Sequence, residues 1–207
     1  DDVGEQRLME VSEPLSEDNT YDVDWYIDYF LHEQDLINLI DRSGVSGGGR
    51  EFYGEQLSSN QKALDVSFAT TNVLTNYSII CYADVAATAQ TPSIFKVSLA
   101  NNHAKTSIAA LPDFHTRAER DSIKLVTKPN TSANQKVRIE FSNSSEGAIG
   151  FLNYIELTVP RALIMEGRSV AINNANSVGR LTNTRYKMSN TSSSTQIWRV
   201  TDGVNIC

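Results

Sequence analysis

Apolar and polar residues alternate along most of this chain with a period of two. In ALDVSF, Leu64, Val66 and Phe68 fall on one side; in SIICYADVA, Ile79, Cys81, Ala83 and Val85 do. SIFKVSLA places Phe95, Val97 and Leu99 together, and KVRIEF opposes Val137, Ile139 and Phe141 to Lys136, Arg138 and Glu140. Successive side chains of an extended backbone point to opposite faces, so each stretch predicts a strand with one dry face and one wet face. Cys81 is predicted to point inward. FLNYIELTV adds Ile155, Leu157 and Val159, while WYIDYFL places Trp25, Ile27, Tyr29 and Leu31 on one side with Phe30 on the other, which predicts partial burial of both faces. SVAI, RLTNTRYKM and QIWRV, in which Trp198 and Val200 share a side, bring the strands to at least eight.

The linkers between them, such as TKPNTSANQ and SNSSEGAIG, are rich in Asn, Ser, Thr and Gly, and only DLINLID hints at a helical period over too short a run. Many short strands joined by polar turns predict an all-β fold, a jelly-roll-like antiparallel β-sandwich. No repeat of fixed period points to a propeller or solenoid. Residues 1–20, acidic and carrying Pro14, read as a leader or linker. Residues 21–60 read as N-terminal strands and a Gly-rich turn, with a separate small module as the alternative, and residues 61–207 as the sandwich domain.

Composition narrows the partners. The chain has 207 residues, a formal net charge of −7 and 40% hydrophobic residues, enough for a self-sufficient core. No basic cluster is denser than Arg117, Arg120, Lys124 and Lys128, so counterion release has little to act on and nucleic acid is excluded as a partner. No apolar run is long enough for a membrane span. Two cysteines, Cys81 and Cys207, have no metal-type spacing and make no disulfide scaffold. The start DDVGEQ and the end IWRVTDGVNIC suggest a chain cut from a larger polypeptide.

No catalytic constellation emerges. His32 precedes Cys81 at a caspase-like distance, but a thiol in the middle of an apolar strand face is hidden and hard to ionise. His103 and His115 read as solvated loop residues, and Asp113, His115 and Asp121 match no cation loop geometry. The acidic residues single out no glycosidase pair. Asn-x-Ser/Thr triplets occur at Asn76, Asn130, Asn143 and Asn190. Catalytic, cofactor and metal residues are therefore all expected to be absent.

GGGREFYGEQ, Gly47 to Gln56, has Phe52 where a dinucleotide fingerprint needs its third glycine, and no lysine for a P-loop. It predicts a chain reversal with φ > 0 at a glycine, then a strand REFYGEQL on which Arg50 and Glu51 pair. Its aromatics serve either packing or a carbohydrate platform; Trp25, Tyr53 and Trp198 are the candidates for stacking on sugar rings, Trp198 less so because it alternates with the core.

Three segments carry a family resemblance. They are SGGGREFYGEQ, with Gly49, Arg50, Phe52, Tyr53, Gly54 and Glu55; GFLNYIELTVPRAL, with Tyr154, Glu156 and Arg161; and QIWRVTDG, with Trp198, Thr201 and Asp202. In this order and spacing they resemble the PorU family, the type IX secretion system sortases or C-terminal signal peptidases of Bacteroidetes, which belong with the gingipain-like cysteine peptidases (peptidase C25). Arg199 and Gly203 depart from the family's usual acidic residue and proline.

The resemblance covers about residues 22 to 203 and implies the β-rich N-terminal region of such a protein. The family's catalytic histidine and cysteine lie in a domain after the third motif and match nothing here. It implies a support and docking role toward the downstream cysteine peptidase domain of the same chain and toward surface attachment-complex proteins. The expected location is the cell surface, outer-membrane-associated and reached through the periplasm. The alternative is a carbohydrate-binding jelly-roll module, with glycan or lipopolysaccharide as partner. Asp121-Ser122-Ile123 also resembles the Asp-Ser/Thr-aliphatic acceptor triplet of Bacteroidetes O-glycosylation.

Overall fold

The computed structural model describes residues 20–39, 52–112, 118–167, 169–174 and 183–197. Among them there is no helix, and the chain order is β1 (Thr20–Val23), β2 (Trp25–Glu33), β3 (Gln56–Leu57), β4 (Ala63–Ala69), β5 (Ile79–Thr88), β6 (Ser93–Leu99), β7 (Asn102–Ile108), β8 (Glu119–Thr127), β9 (Asn134–Ser142), β10 (Ile149–Ala162) and β11 (Asn183–Tyr186). They fall into two compact units.

The larger unit, Tyr26–Ala162 with Ala171–Asn173, is a β-sandwich. One sheet has the order β2-β10-β5-β8, with β3 also paired to β10; the other has the order β4-β9-β6-β7. β10 with β3 and β5, β5 with β8, β9 with β4 and β6, and β6 with β7 all pair antiparallel. The predicted inward sets of β5, β6, β9 and β10 meet between the sheets: Ile79, Cys81, Ala83 and Val85 face Phe95, Val97, Val137 and Ile139, all buried without exposed surface. The expected all-β, jelly-roll-like antiparallel sandwich is the fold this chain adopts.

Close packing explains one glycine. A Cβ on Gly150 would lie 2.6 Å from Phe95 Cζ and 2.7 Å from Phe141 Cδ2, two rings that pack with centroids 5.0 Å apart. Only a bare α-carbon lets the start of β10 approach them.

The smaller unit comprises the described residues to Trp25, Leu163–Val170 and those from Asn174 on. Here β1 and β11 pair in parallel, Thr20 opposite Asn183 and Val23 opposite Tyr186. Asp22 ties them together, accepting from Arg185 Nε at 2.7 Å and Lys187 Nζ at 2.5 Å. These two ions hold its carboxyl down at about 2, Arg185 contributing most. The backbone continues the lock, Lys187 N–H donating to Val23 O and Leu163 N–H to Asp24 O. The division into units does not fall at residue 60: Tyr26 onward in β2 and all of β3 belong to the sandwich, whereas β1 and most of the described chain from Leu163 on form the smaller unit.

Several expectations are corrected. β2 buries its two faces unevenly: Trp25 is buried at its start, but Tyr29 and Leu31 are exposed, while the partly buried Phe30 packs on the core and meets Phe68 edge-on at 6.2 Å. Both faces of WYIDYFL are apolar, so alternation alone does not choose between them. Among the described residues of REFYGEQL, Phe52 to Leu57, the strand is confined to Gln56–Leu57, with Tyr53 bridging Ile37 before it. SVAI forms no strand. His103 lies in β7 and not in a loop; β7 is a sheet edge, and its polar sequence hid it. The inward residues of β8, Ile123, Leu125 and Thr127, are flanked by too many charges to stand out in sequence. The Gly47–Gly49 turn, Arg50, Glu51, His115 and Trp198 to Asp202 lie outside the described residues, as does nearly all of the 1–20 segment.

Candidate functional site

Strand β10 organises the sandwich's outer surface, because the first two family-like segments meet on it although about a hundred residues separate them. Gly54 N–H donates to Leu152 O at 2.8 Å and Leu152 N–H to Glu55 O at 3.0 Å, laying 54–55 alongside the start of β10. Gly54 does not have positive φ; it is needed because a Cβ would come 2.9 Å from the carbonyl oxygen of Gln34. Tyr53 packs its ring on Phe151 at 6.0 Å, and with Ala86 the two form a second small core on the outer side of the five-stranded sheet. Glu55 Oε1 stands 2.6 Å from His32 Nε2, while its other oxygen is buried with no partner among the described residues.

At the far end of β10, Arg161 acts as a clasp. Its guanidinium donates to Asp28 Oδ2 at 2.5 Å, to Thr71 O at 2.7 Å and to Thr71 Oγ1 at 2.6 Å, and it lies 5.7 Å from the centre of the Tyr26 ring. One planar cation thus joins three segments through its fork of donors and a ring face. The described motif residues on and beside this strand are structural in their contacts, except the exposed Phe52 and the outward-facing Tyr154 and Glu156.

The two outer faces of the sandwich differ. That of the four-stranded sheet is an ion-pair lattice: Lys136 and Arg138 hold Asp65 at 2.7 and 3.1 Å, and Lys96 holds Glu140 at 2.7 Å. Lys136 chiefly lowers the Asp65 carboxyl, and Lys96 that of Glu140. On the five-stranded sheet, registers align Tyr154, Asp84 and Ser122 in one row across β10, β5 and β8, and Glu156, Tyr82 and Lys124 in the next. Asp84 is almost wholly buried on this outer face, accepting from Asn153 Nδ2 at 3.1 Å and Arg120 Nη2 at 3.4 Å. Asn153 reaches it because the register of β10 slips between Leu152 and Tyr154, a bulge that re-aims the side chain. Burial, then the Asp84 and Glu156 charges, push the Tyr154 phenol up.

The predicted candidates distribute unevenly. Trp25 and Tyr53, put forward for glycan stacking, are both buried, so neither offers a ring face to a sugar. Of the first motif's aromatics, Phe52 is the exposed one. Cys81 is fully enclosed, and desolvation pushes its thiol up to about 12. Asn143 spends its amide on the turn before β6, donating to Thr91 O, Pro92 O and Ser93 Oγ. In the Asp121-Ser122-Ile123 triplet, Ile123 is core and Ser122 Oγ is 3.4 Å from the Tyr82 hydroxyl. Among the described residues no three His, Cys, Asp or Glu side chains gather as a metal site, and no helix is long and apolar enough to cross a membrane. Strand alternation alone does not single out Tyr82 and Asp84; a carboxylate inside the apolar run IICYADVAA is the signal the sequence offers.

No protein-family model matches this sequence, and no curated protein does. Among solved structures, dimeric latent PorU from Porphyromonas gingivalis matches with a TM-score of 0.70 at 17% identity, over 86% of this chain and 17% of that one. The carbohydrate-binding module CBM36 in complex with calcium and xylotriose matches at 0.37 and 9% identity, over 62% of this chain and 87% of that one. A CBM36-1 domain of a multidomain xylanase from the hindgut metagenome of Trinervitermes trinervoides gives 0.37 at 6%, over 69% and 100%. This chain spans about 17% of the length of the PorU chain it matches. Its fold is that of a PorU-like β-region.

Proposed function

We propose that this chain is a non-catalytic β-sandwich region of a cell-surface type IX secretion sortase, a gingipain-like cysteine peptidase that removes C-terminal signals from secreted cargo. The observation that carries this reading is the PorU match: a TM-score of 0.70 over 86% of the chain, at an identity of 17%. The convergence of the first two family-like segments on β10 supports it, since those residues then serve the scaffold. The enclosed Cys81 thiol supports assigning the chemistry to another domain.

The role is to seat neighbouring protein. Tyr29 and Leu31 on β2, and Leu36 and Phe52 beside the Ile37–Tyr53 bridge, are exposed large apolar side chains around one edge of the sandwich. Exposed apolar clusters of this kind suit interaction surfaces. Their proposed occupant is the peptidase domain of the same polypeptide at the outer surface of the cell, with attachment-complex proteins as further partners.

The test mixes this region with the peptidase domain encoded by the same reading frame and follows co-elution. Leu31→Asp with Leu36→Asp is expected to abolish co-elution at an unchanged melting temperature. Co-elution that survives the double change rejects the docking edge, and a reading frame without a peptidase domain rejects the assignment.

A further inference from the structure

The outer face of the five-stranded sheet carries a feature that neither scaffolding nor edge docking uses. Tyr82 is 37% exposed on β5, with Glu156 on one flanking strand and Lys124 on the other. Neighbouring strands are about 4.8 Å apart, so Glu156 and Lys124 leave the backbone one strand spacing to either side of Tyr82, on the same face of the sheet. Among the described residues neither charge enters an ion pair. This contrasts with the four-stranded face, where Asp65 and Glu140 are both held by lysine.

The next row, Tyr154, Asp84 and Ser122, sets hydroxyls on both sides of the nearly buried carboxylate. Removing a carboxylate from water is costly unless its acceptor sites are filled. Asn153 and Arg120 supply two donors, the second at a long 3.4 Å, against roughly four lone-pair sites on a carboxylate. Asp84 thus retains acceptor capacity. Beyond it, the small core of Tyr53, Phe151 and Ala86 covers the sheet, so the platform ends against a wall of packed residues.

We infer that this platform binds a saccharide. Tyr82 would stack on the apolar face of a sugar ring, Glu156 and Lys124 would accept from and donate to its hydroxyls, and Asp84 with Tyr154 and Ser122 would receive the adjoining unit. A flat, half-exposed phenol bordered by one acceptor and one donor suits a neutral ring bearing hydroxyls all round its rim, each able to do both. The raised Tyr154 phenol, with Asp84 and Glu156 among its causes, agrees with these groups facing one space. This site shares no residue with the buried Trp25 and Tyr53, and it does not depend on the docking edge or on the sortase assignment.

The experiment is a titration of the full chain with maltotriose and with cellotriose, which differ in linkage geometry, followed by backbone amide shifts up to about 10 mM sugar, the range of weak single-site binding. Shifts are expected on β5, β8 and β10 around Tyr82, Asp84 and Lys124 with at least one sugar. Tyr82→Ala should remove them, Asp84→Asn should weaken binding several-fold, and Glu140→Gln on the opposite sheet should leave it unchanged. The inference is overturned if neither sugar shifts these residues, or if the shifts persist in Tyr82→Ala. Tyr82 is a surface residue, so the unliganded spectrum of that variant reports its folding independently.

Discussion

His32 Nε2 lies 2.6 Å from Glu55 Oε1 and ties the end of β2 to the segment that enters β3. Both strands border β10, and the bridge between Ile37 and Tyr53 sits just inside this tie. His32→Ala leaves a part-buried carboxylate with neither oxygen bonded, a loss of about 1–3 kcal/mol. At this chain length that lowers the melting temperature by about 2–4 °C per kcal/mol. Glu55→Gln, which can still donate or accept at the same place, should cost less; a larger drop for Glu55→Gln in thermal melts would reject this account.

Gly150 should tolerate no side chain. Gly150→Ala pushes a methyl against Phe95 and Phe141 at under 3 Å, with ring carbons of the central core as the obstacle. Overpacking of this kind costs about 1–3 kcal/mol. Chemical denaturation should show a lower midpoint with little change in slope.

Arg161 is predicted to be irreplaceable by lysine. Its guanidinium serves Asp28 and Thr71 at once, and an ammonium cannot reproduce that fork or its approach to the Tyr26 ring. Arg161→Ala and Arg161→Lys should both destabilise the sandwich, the alanine by about 2–4 kcal/mol because Asp28 is left part-buried and unpaired. Full rescue by lysine in denaturant titrations would contradict this.

Acid should loosen the β1–β11 pair through Asp22. Its folded carboxyl is held at about 2, below the ordinary aspartate value of 3.8. The stabilisation is therefore present above about pH 4 and lost as pH falls through about 2, since the unfolded chain takes up the proton first. Asp65 and Glu140, also lowered, act in the same direction on the four-stranded sheet. Asp22→Asn should flatten the acid limb of a stability-versus-pH profile; an unchanged limb would refute the assignment.

Cys81 should be silent toward thiol reagents until the chain unfolds. It is enclosed among Ile79, Ala83 and the facing sheet, and its thiol is pushed up to about 12. In a Cys207→Ser background, Ellman's reagent should label no thiol in the native protein and one in denaturant. Rapid native labelling would show that the core opens, and peptide hydrolysis abolished by Cys81→Ser would overturn the non-catalytic reading.

Much of the sandwich was legible in the alternation of β4, β5, β6, β9 and β10, because a half-buried strand imposes its period on the residues directly. Edges were harder to read. β7 has little apolar surface to bury, so His103 reads as a loop residue, and β2 has apolar residues on both faces, so Phe30 and Tyr29 could not be ranked until Phe68 was seen beneath Phe30. The candidate site was less legible still, since Tyr82, Lys124 and Glu156 come from three strands brought together only by register.

By itself, the sequence determined that this is a β protein with an inward Cys81, the inner faces of its central strands, and the three segments that resemble the PorU family. Strand period and residue type are local, and a single chain displays them in full. Tertiary structure decided which face of β2 turns inward, why Gly54 and Gly150 must lack side chains, and which charges are neutralised. These depend on what lies across the gap between elements distant in sequence, and a linear string does not contain that distance. The same holds for Asp84, whose burial on an outer face arises from a bulge at Asn153 and a cover built around Tyr53.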